Sequence, residues 1–245
     1  MSQDIIGIVG CSGDLGGKMA VQVRSKLGEV MGFDIATNTA MAASGIDHSL
    51  SPEGSDITRV RRLDVLLNAC AVVHWCAPSS TIDVVQAVHP DKLVILHDSV
   101  MSTSLRSAWG LQARTNSTAK VAIAHCLMND QNKVVIASDY GATDEAFDHI
   151  KQLGLSPTLK TVKEHDHMMA RSQAVLSVLV KTILPDLVAY EDEGMLTQSA
   201  HELLRSLQHR ESRWTDATMA TMLRNPQLTP LLSEFGSFIA DYQSK

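Results

Sequence analysis

The chain has 245 residues, a net formal charge of −6, 44% hydrophobic residues and four cysteines. That length supports one large domain, or a domain with a smaller companion, able to bury a core without a metal or disulfide staple. Dispersed Lys and Arg on an acidic chain, with no basic patch interleaved with aromatics, exclude nucleic acid as the main partner.

Cys11, Cys70, Cys76 and Cys126 sit among apolar residues and form no CxxC pair. They read as buried, reduced thiols rather than zinc ligands. The N-terminal MSQDIIGIVG has no basic region and no small-residue cleavage site, and no apolar run reaches about 18 residues. The expectation is a cytoplasmic protein with no membrane partner.

The first element is the apolar run IIGIV (5–9), a short strand that opens into GCSGDLGG and then the helical pattern KMAVQVRSKLGEV. Further strand-like runs are FDIA (33–36), AVVHWCA (71–77), KLVILHD (92–98), KVAIAH (120–125), KVVIAS (133–138) and TLKTVK (158–163). Helix-length segments such as TIDVVQAVHP and turn signals separate them, and ASGIDHSLSPEGSD (43–56) reads as a loop. Strands alternating with helices predict a mostly parallel sheet covered on both faces. From about residue 164 the pattern is helical throughout and apolar on more than one face. A helical tail of that kind leaves apolar surface exposed, so pairing with a second copy is expected. The fold class is therefore α/β, a Rossmann-like dinucleotide-binding domain over 1–163 followed by an all-helical dimerisation domain over 164–245.

Gly10, Gly13 and Gly16 follow the first strand at three-residue spacing and open a helix. Glycine suits a tight turn, a close approach of backbone to pyrophosphate and tight helix–strand packing, and a helix N-terminus offers free N–H groups to phosphate. A dinucleotide is the expected cofactor. NAD and NADP stay open, because FDIA leads into Thr37 and Asn38 where an acidic residue would hold the ribose. The run Arg59, Arg61, Arg62 reads as a solvated helix face rather than a 2′-phosphate site.

Other polar residues have an ordinary reading beside a functional one. A lone histidine at a strand end, such as His125, is by default a satisfied core residue. His97 and Asp98 are adjacent on a strand and so face opposite sides of the sheet, which makes His97 structural. Cys126 has no evident base and reads as structural. In the run His165, Asp166, His167, a helical period of 100° per residue turns His167 about 200° away from His165. Three ligands cannot converge on one metal from those directions.

Taken in order, the glycine turn, VVHWCAPSST, KLVILHDSV, VAIAHCLM and EHDHMMARSQAV resemble the prephenate and arogenate dehydrogenase family over nearly the whole chain. The most specific match is His165, Asp166, Met169, Ala170 and Gln173 at the start of the helical region. Pro78, Thr81 and Asp98 fit the family's strand ends, and MLRNPQL (222–228) resembles a stretch of its helical domain.

The resemblance implies NAD- or NADP-dependent oxidation of a small-molecule substrate, prephenate or arogenate, with loss of carbon dioxide. It implies cofactor contacts at Gly10, Ser12, Gly13, Asp14, Leu15, Gly16, Thr37, Asn38, Ala77 and Pro78, and no metal. His125 is the implied acceptor of the substrate hydroxyl proton, chemistry that suits an imidazole titrating near working pH. Ser102, one residue beyond the family's serine position, is the second implied catalytic group. Arg213, with Arg210 close by, matches the carboxylate-binding arginine. His165 and Gln173 line the substrate pocket, in a cleft between the domains. The chain departs from the family where Cys126 follows His125 in place of proline, where the loop beyond is shorter, and where Ser177 replaces a histidine. Another small hydroxy or keto acid is the alternative substrate class, and a non-catalytic dinucleotide-binding dimer is the rival from outside enzymes.

Overall fold

In the computed structural model, residues 5–34, 46–47, 57–85, 88–116, 119–127, 132–213 and 216–243 are described. The chain divides into two compact units, Met1–Val162 and Lys163–Lys245. The first is built on a sheet of nine strands among the described residues: β1 (Ile6–Val9), β2 (Val30–Phe33), β3 (Ile46–Asp47), β4 (Thr58–Val60), β5 (Val72–Trp75), β6 (Leu93–His97), β7 (Lys120–Cys126), β8 (Lys133–Ala137) and β9 (Ser156–Lys160). Their spatial order is β3-β4-β2-β1-β5-β6-β7-β8-β9. Neighbours are parallel except for the pairs β3–β4 and β7–β8. Chain order reverses between β1 and β5, so the crevice beyond their carboxyl ends is where an open α/β sheet offers a ligand site.

Two apolar layers cover the faces of this sheet. On one side, the inward residues Val73, Trp75, Val94, Leu96, Val121 and Ile123 meet Leu66 and Leu67 of α2 (Leu63–Ala69) and Ala108 and Leu111 of α3 (Met101–Arg114). On the other, Ile6, Ile8, Ile95, Ala122 and Ala124 meet Met19, Ala20 and Val23 of α1 (Asp14–Leu27) and Ala146 and Ile150 of α4 (Thr143–Gln152). The buried residues of α1, Gly16, Met19, Ala20 and Val23, recur at the helical spacing that makes one apolar face.

The structure corrects four sequence expectations. The stretch 43–56, read as a loop, holds strand β3 at Ile46–Asp47. The second strand is Val30–Phe33 rather than 33–36, so it ends one residue before Asp34. The Thr81 segment is a 3-10 turn over Ser79–Val84, not a full helix. Arg59 lies inside β4 and is buried, so the arginine run is not a solvated helix face.

The α4 side of the sheet contains three buried histidines. His74 on β5 sits between His97 on β6, with Nδ1···Nε2 at 2.9 Å, and His149 on α4, with Nε2···Nε2 at 3.0 Å. Burial pushes His97 and His149 each down to about 4 and His74 well below its ordinary value, with the neighbouring rings adding to the effect at His74 and His97.

The second unit holds six helices among its described residues. The first, α5 (Val162–Met169), begins at the unit boundary and continues through a π-turn at Ala170–Ala174 into α6 (Val175–Thr182). They are followed by α7 (Leu184–Asp192), α8 (Gln198–Arg213), α9 (Asp216–Leu223) and α10 (Leu228–Gln243). Val180, Leu184, Leu187, Leu204, Leu207 and Met219 make its own core. Among the described residues no single helix is long and apolar enough to cross a membrane.

The histidine chain makes stability depend on pH with a definite sign. Unfolded histidines bind protons below about pH 6.5, while the folded ones resist until about pH 4. The fold therefore keeps its full stability above pH 6.5 and loses it as the pH falls toward 4. At about 1.4 kcal/mol per unit, the shift at His149 alone removes roughly 3 kcal/mol by that point. Urea midpoints should already fall between pH 6.5 and 5, above the ordinary carboxylate range; a flat profile there would exclude a neutral histidine chain.

Candidate functional site

The turn after β1 is shaped by what its glycines lack. Gly10 has φ +82°, and a Cβ there would stand 2.8 Å from the backbone N of Ala77. At Gly16 a Cβ would stand 2.1 Å from the carbonyl O of Gly10. These two glycines let β1, the start of α1 and the chain leaving β5 come together. Gly13 is different, since the nearest atom to its missing Cβ is the Gly10 carbonyl O at 3.4 Å. Its α side is open, at the N-cap of α1, where the first-turn N–H groups have no intrahelical partner. An approaching phosphate fits this cradle, and the dipole of α1 favours it. Residues Gly10 to Gly16 would hold a dinucleotide pyrophosphate. The Asp14 carboxylate pairs with Lys18 at 2.9 Å, so Asp14 would meet a phosphate through its backbone N–H.

Two charged groups meet the turn at Ser12. Its N–H donates to Asp34 Oδ2 at 3.0 Å, and its Oγ accepts from Arg59 Nη1 at 2.9 Å. The sequence reading missed both partners, because it ran the second strand past Asp34 and placed Arg59 on a helix. Thr37 and Asn38, proposed in their stead, lie outside the described residues. Ala77 packs on Gly10, and Pro78 opens the 3-10 turn, its carbonyl accepting from the N–H and hydroxyl of Thr81.

The carboxyl ends of β6 and β7 lie on the same sheet edge. His125 is 7% exposed and belongs to the last turn of pleat in β7, paired with Val135 across the β7–β8 hairpin. By strand alternation it shares the α3 side with Val121 and Ile123. Two residues further on, Leu127 N–H donates to Lys133 O. Ser102 is half-buried in the first turn of α3. At the end of β6, Asp98 accepts from Ser79 Oγ at 2.8 Å and Ser104 Oγ at 3.2 Å. Burial pushes its carboxyl up, against the lowering effect of those hydroxyls. His97 turns the other way, into the histidine chain.

In the second unit His165 and Asp166 are buried, with His165 Nδ1 and Asp166 Oδ1 3.0 Å apart. Asn225 Nδ2 donates to the Asp166 carbonyl at 2.8 Å, tying the middle of α5 to the turn after α9. His167 is exposed and accepts from Arg171 Nε at 3.1 Å, as the helical period requires. Gln173 is half-buried within the π-turn. Arg210 and Arg213 fall in the last turn of α8, and their side chains lie outside the described residues.

A cavity of about 670 Å³ in the first unit is lined by the strand starts Ile6, Val72 and Leu93 and by His149. It therefore opens at the amino-terminal edge of the sheet, opposite the glycine turn.

No family model matches the sequence, and no curated protein matches it. Solved structures do resemble it in fold. Prephenate dehydrogenase from Aquifex aeolicus, in complex with hydroxyphenyl propionate and NAD+, aligns with TM-score 0.72 at 13% identity, covering 100% of this chain and 91% of that one. Synechocystis arogenate dehydrogenase aligns with TM-score 0.68 at 13% identity over 98% and 91%. An imine reductase from Bacillus cereus aligns with TM-score 0.54 at 13% identity over 84% and 73%. The chain thus has the Rossmann-like fold with a helical C-terminal region found in these dehydrogenases.

The glycine geometry separates folding from binding. Gly13→Ala should melt within a few degrees of the parent yet bind dinucleotide at least about tenfold more weakly, because only the approach of the ligand is obstructed. Gly16→Ala should lose several degrees, since it forces backbone apart. Intrinsic-fluorescence titration and thermal melts of both variants check this, and equal affinity in Gly13→Ala would remove the turn from the site.

Proposed function

We propose that this protein is a cytoplasmic NAD(P)-dependent dehydrogenase that oxidises prephenate or arogenate with loss of carbon dioxide. The observation that carries the reading is one sheet edge bearing both a glycine cradle open at Gly13 and a buried histidine, His125, at the end of β7. The resemblance in fold to a prephenate and an arogenate dehydrogenase supports it. So does the motif from His165 to Gln173 in the second unit.

A nicotinamide, when bound, supplies the hydride acceptor. The remaining work belongs to side chains. His125 takes the proton of the ring hydroxyl as hydride leaves the carbon bearing it; the ring carboxylate then departs as carbon dioxide and its bonding pair aromatises the ring. Ser102 serves as a hydrogen-bond partner to the same hydroxyl. Arg213 or Arg210 holds a substrate carboxylate through the planar guanidinium fork, Gln173 bounds the substrate, and His165, fully buried against Asp166, can act only through its neighbours.

A second reading, reduction or oxidation of another small acid or an imine, is favoured by one feature. The loop after His125 is shorter in sequence than the family's, and Leu127 N–H already pairs with Lys133 O.

The working form is a homodimer. Leu232, Phe235, Phe238, Ile239 and Tyr242 form an exposed stripe along α10 at spacings of three and four. The stripe itself carries no charge, and a second copy of the same helix presents the same uncharged stripe to it. Light scattering should give a dimer, and Phe238→Glu with Ile239→Glu should give a monomer; a monomeric parent would overturn this assembly.

Turnover is tested by mixing the protein with prephenate or arogenate and NAD or NADP and following reduced-cofactor absorbance. No turnover in any of the four combinations overturns the substrate assignment. His125→Asn should lose at least about 100-fold in kcat, as expected when a general base is removed, while cofactor affinity stays within about twofold. Unchanged turnover would take His125 out of the mechanism.

A further inference from the structure

We infer that the cavity at the amino-terminal edge of the sheet is a binding site for a zwitterionic α-amino acid with an aliphatic side chain. It lies within the first unit, on the edge opposite the glycine turn, and does not rest on the dinucleotide reading above. Its volume of about 670 Å³ falls in the range of small-molecule pockets. The floor is aliphatic: Ile6, Val72 and Leu93 come from the starts of β1, β5 and β6, and Leu27 from the end of α1. Among the described residues no Phe, Tyr or Trp lines it. A branched aliphatic side chain is what such a floor takes out of water.

His149 is the polar group built into this floor, and it is 6% exposed. Among the described residues its Nε2 is spent on His74 at 3.0 Å and its Nδ1 has no partner. The other end of the histidine chain, His97 Nδ1, is a buried atom without a partner. His149 Nδ1 is not buried in that way, so it is the ring nitrogen that the cavity reaches. An N–H orphaned at His97 would cost more than a bare acceptor there, which puts the His149 proton on Nδ1. The result is a donor on a residue more than nine-tenths buried, aimed into a cavity and in need of an oxygen.

The rim supplies one uncommitted charge of each sign. Lys120 and Glu145 pair at 3.5 Å, and Asp91 has His89 at 3.4 Å. Lys26 lies in the last turn of α1 and Asp148 beside His149 on α4. Among the described residues neither makes an ion pair within 4.0 Å. A ligand carboxylate meets Lys26 and the His149 N–H, the ammonium meets Asp148, and the side chain lies on the floor. An anion alone would bring like charge to Asp148, and a cation alone would bring it to Lys26.

The test uses the full chain with L-leucine as probe and two analogues that each lack one of its charges, 3-methylbutylamine and 4-methylpentanoate. Calorimetry should give L-leucine a Kd of about 1 mM or tighter and each analogue a Kd at least about tenfold weaker. The ring nitrogen resonances of His149 should shift as L-leucine is added. Lys26→Met and Asp148→Asn, both at exposed positions, should melt with the parent and each weaken L-leucine at least about tenfold. No saturable binding of L-leucine by the folded parent overturns the inference. Binding that either variant leaves unchanged, or that leaves the His149 resonances in place, puts the ligand elsewhere and overturns it too. An analogue that binds as tightly as L-leucine overturns the zwitterion.

Discussion

The close approach of Gly16 to the carbonyl of Gly10 is the constraint on which the first half of the sheet depends. A Cβ at Gly16 would stand at 2.1 Å from that oxygen, so only glycine lets α1 leave the turn at this depth. Because α1 sits this close, Met19, Ala20 and Val23 reach the sheet and bury against Ile6 and Ile8. The same approach brings the first free N–H groups of α1 beyond the end of β1, at the point where strand order reverses. Packing and ligand geometry are thus two consequences of one backbone contact. Gly13, which contacts little, is the position where the two separate.

The parallel register extends this edge across the sheet. Since β1, β5, β6 and β7 run the same way, Gly10, Cys76, Asp98 and His125 are all delivered to one side. Alternation along each strand then sorts the side chains by face. Asp98 meets Ser79 and Ser104 on the α3 side, while His97, its immediate neighbour, enters the histidine chain on the α4 side. That division could be read from strand period alone, and the two residues do not act as a pair.

The sequence announced the central strands because their signal is local: uninterrupted runs such as KLVILH and KVAIAH can only be buried on both faces. It concealed the second strand for a physical reason. Gly32 breaks the apolar run, and that glycine is required because a Cβ there would lie 2.8 Å from Cys11 Sγ, a contact between segments far apart in the chain. The run FDIA looked more strand-like than VMGF, and shifting the strand by three residues hid Asp34. A usable clue was Gly28, which ends α1 with φ +101° and leaves little chain before the next strand must begin. Arg59 was hidden for a similar reason: three arginines in four residues look solvated, yet pairing of β4 with β2 turns the first of them inward. The motif from His165 to Gln173 was legible because helical period separates its buried and exposed members. What that period could not supply is the π-turn at Ala170–Ala174, within which Gln173 departs from regular helical phase.

The three buried histidines show how such a sheet accommodates polar groups with no charge to neutralise them. A neutral imidazole has one donor and one acceptor, so a chain of three rings joined by two N···N contacts must be polarised in one direction. The end ring decides which. His97 Nδ1 is buried without a partner, and an orphaned buried N–H is rarer in folded proteins than an orphaned acceptor. The lower-cost arrangement leaves that nitrogen bare, so His97 Nε2–H donates to His74 Nδ1 and His74 Nε2–H donates to His149 Nε2. His149 must then carry its proton on Nδ1, at the residue that also lines the cavity on the amino-terminal edge. An added proton would have to put a charge on buried rings and an N–H on His97 Nδ1, which is buried without a partner. Burial thus both lowers the pKa values and makes the direction of the chain matter, and the histidines act as a polar spine of the sheet.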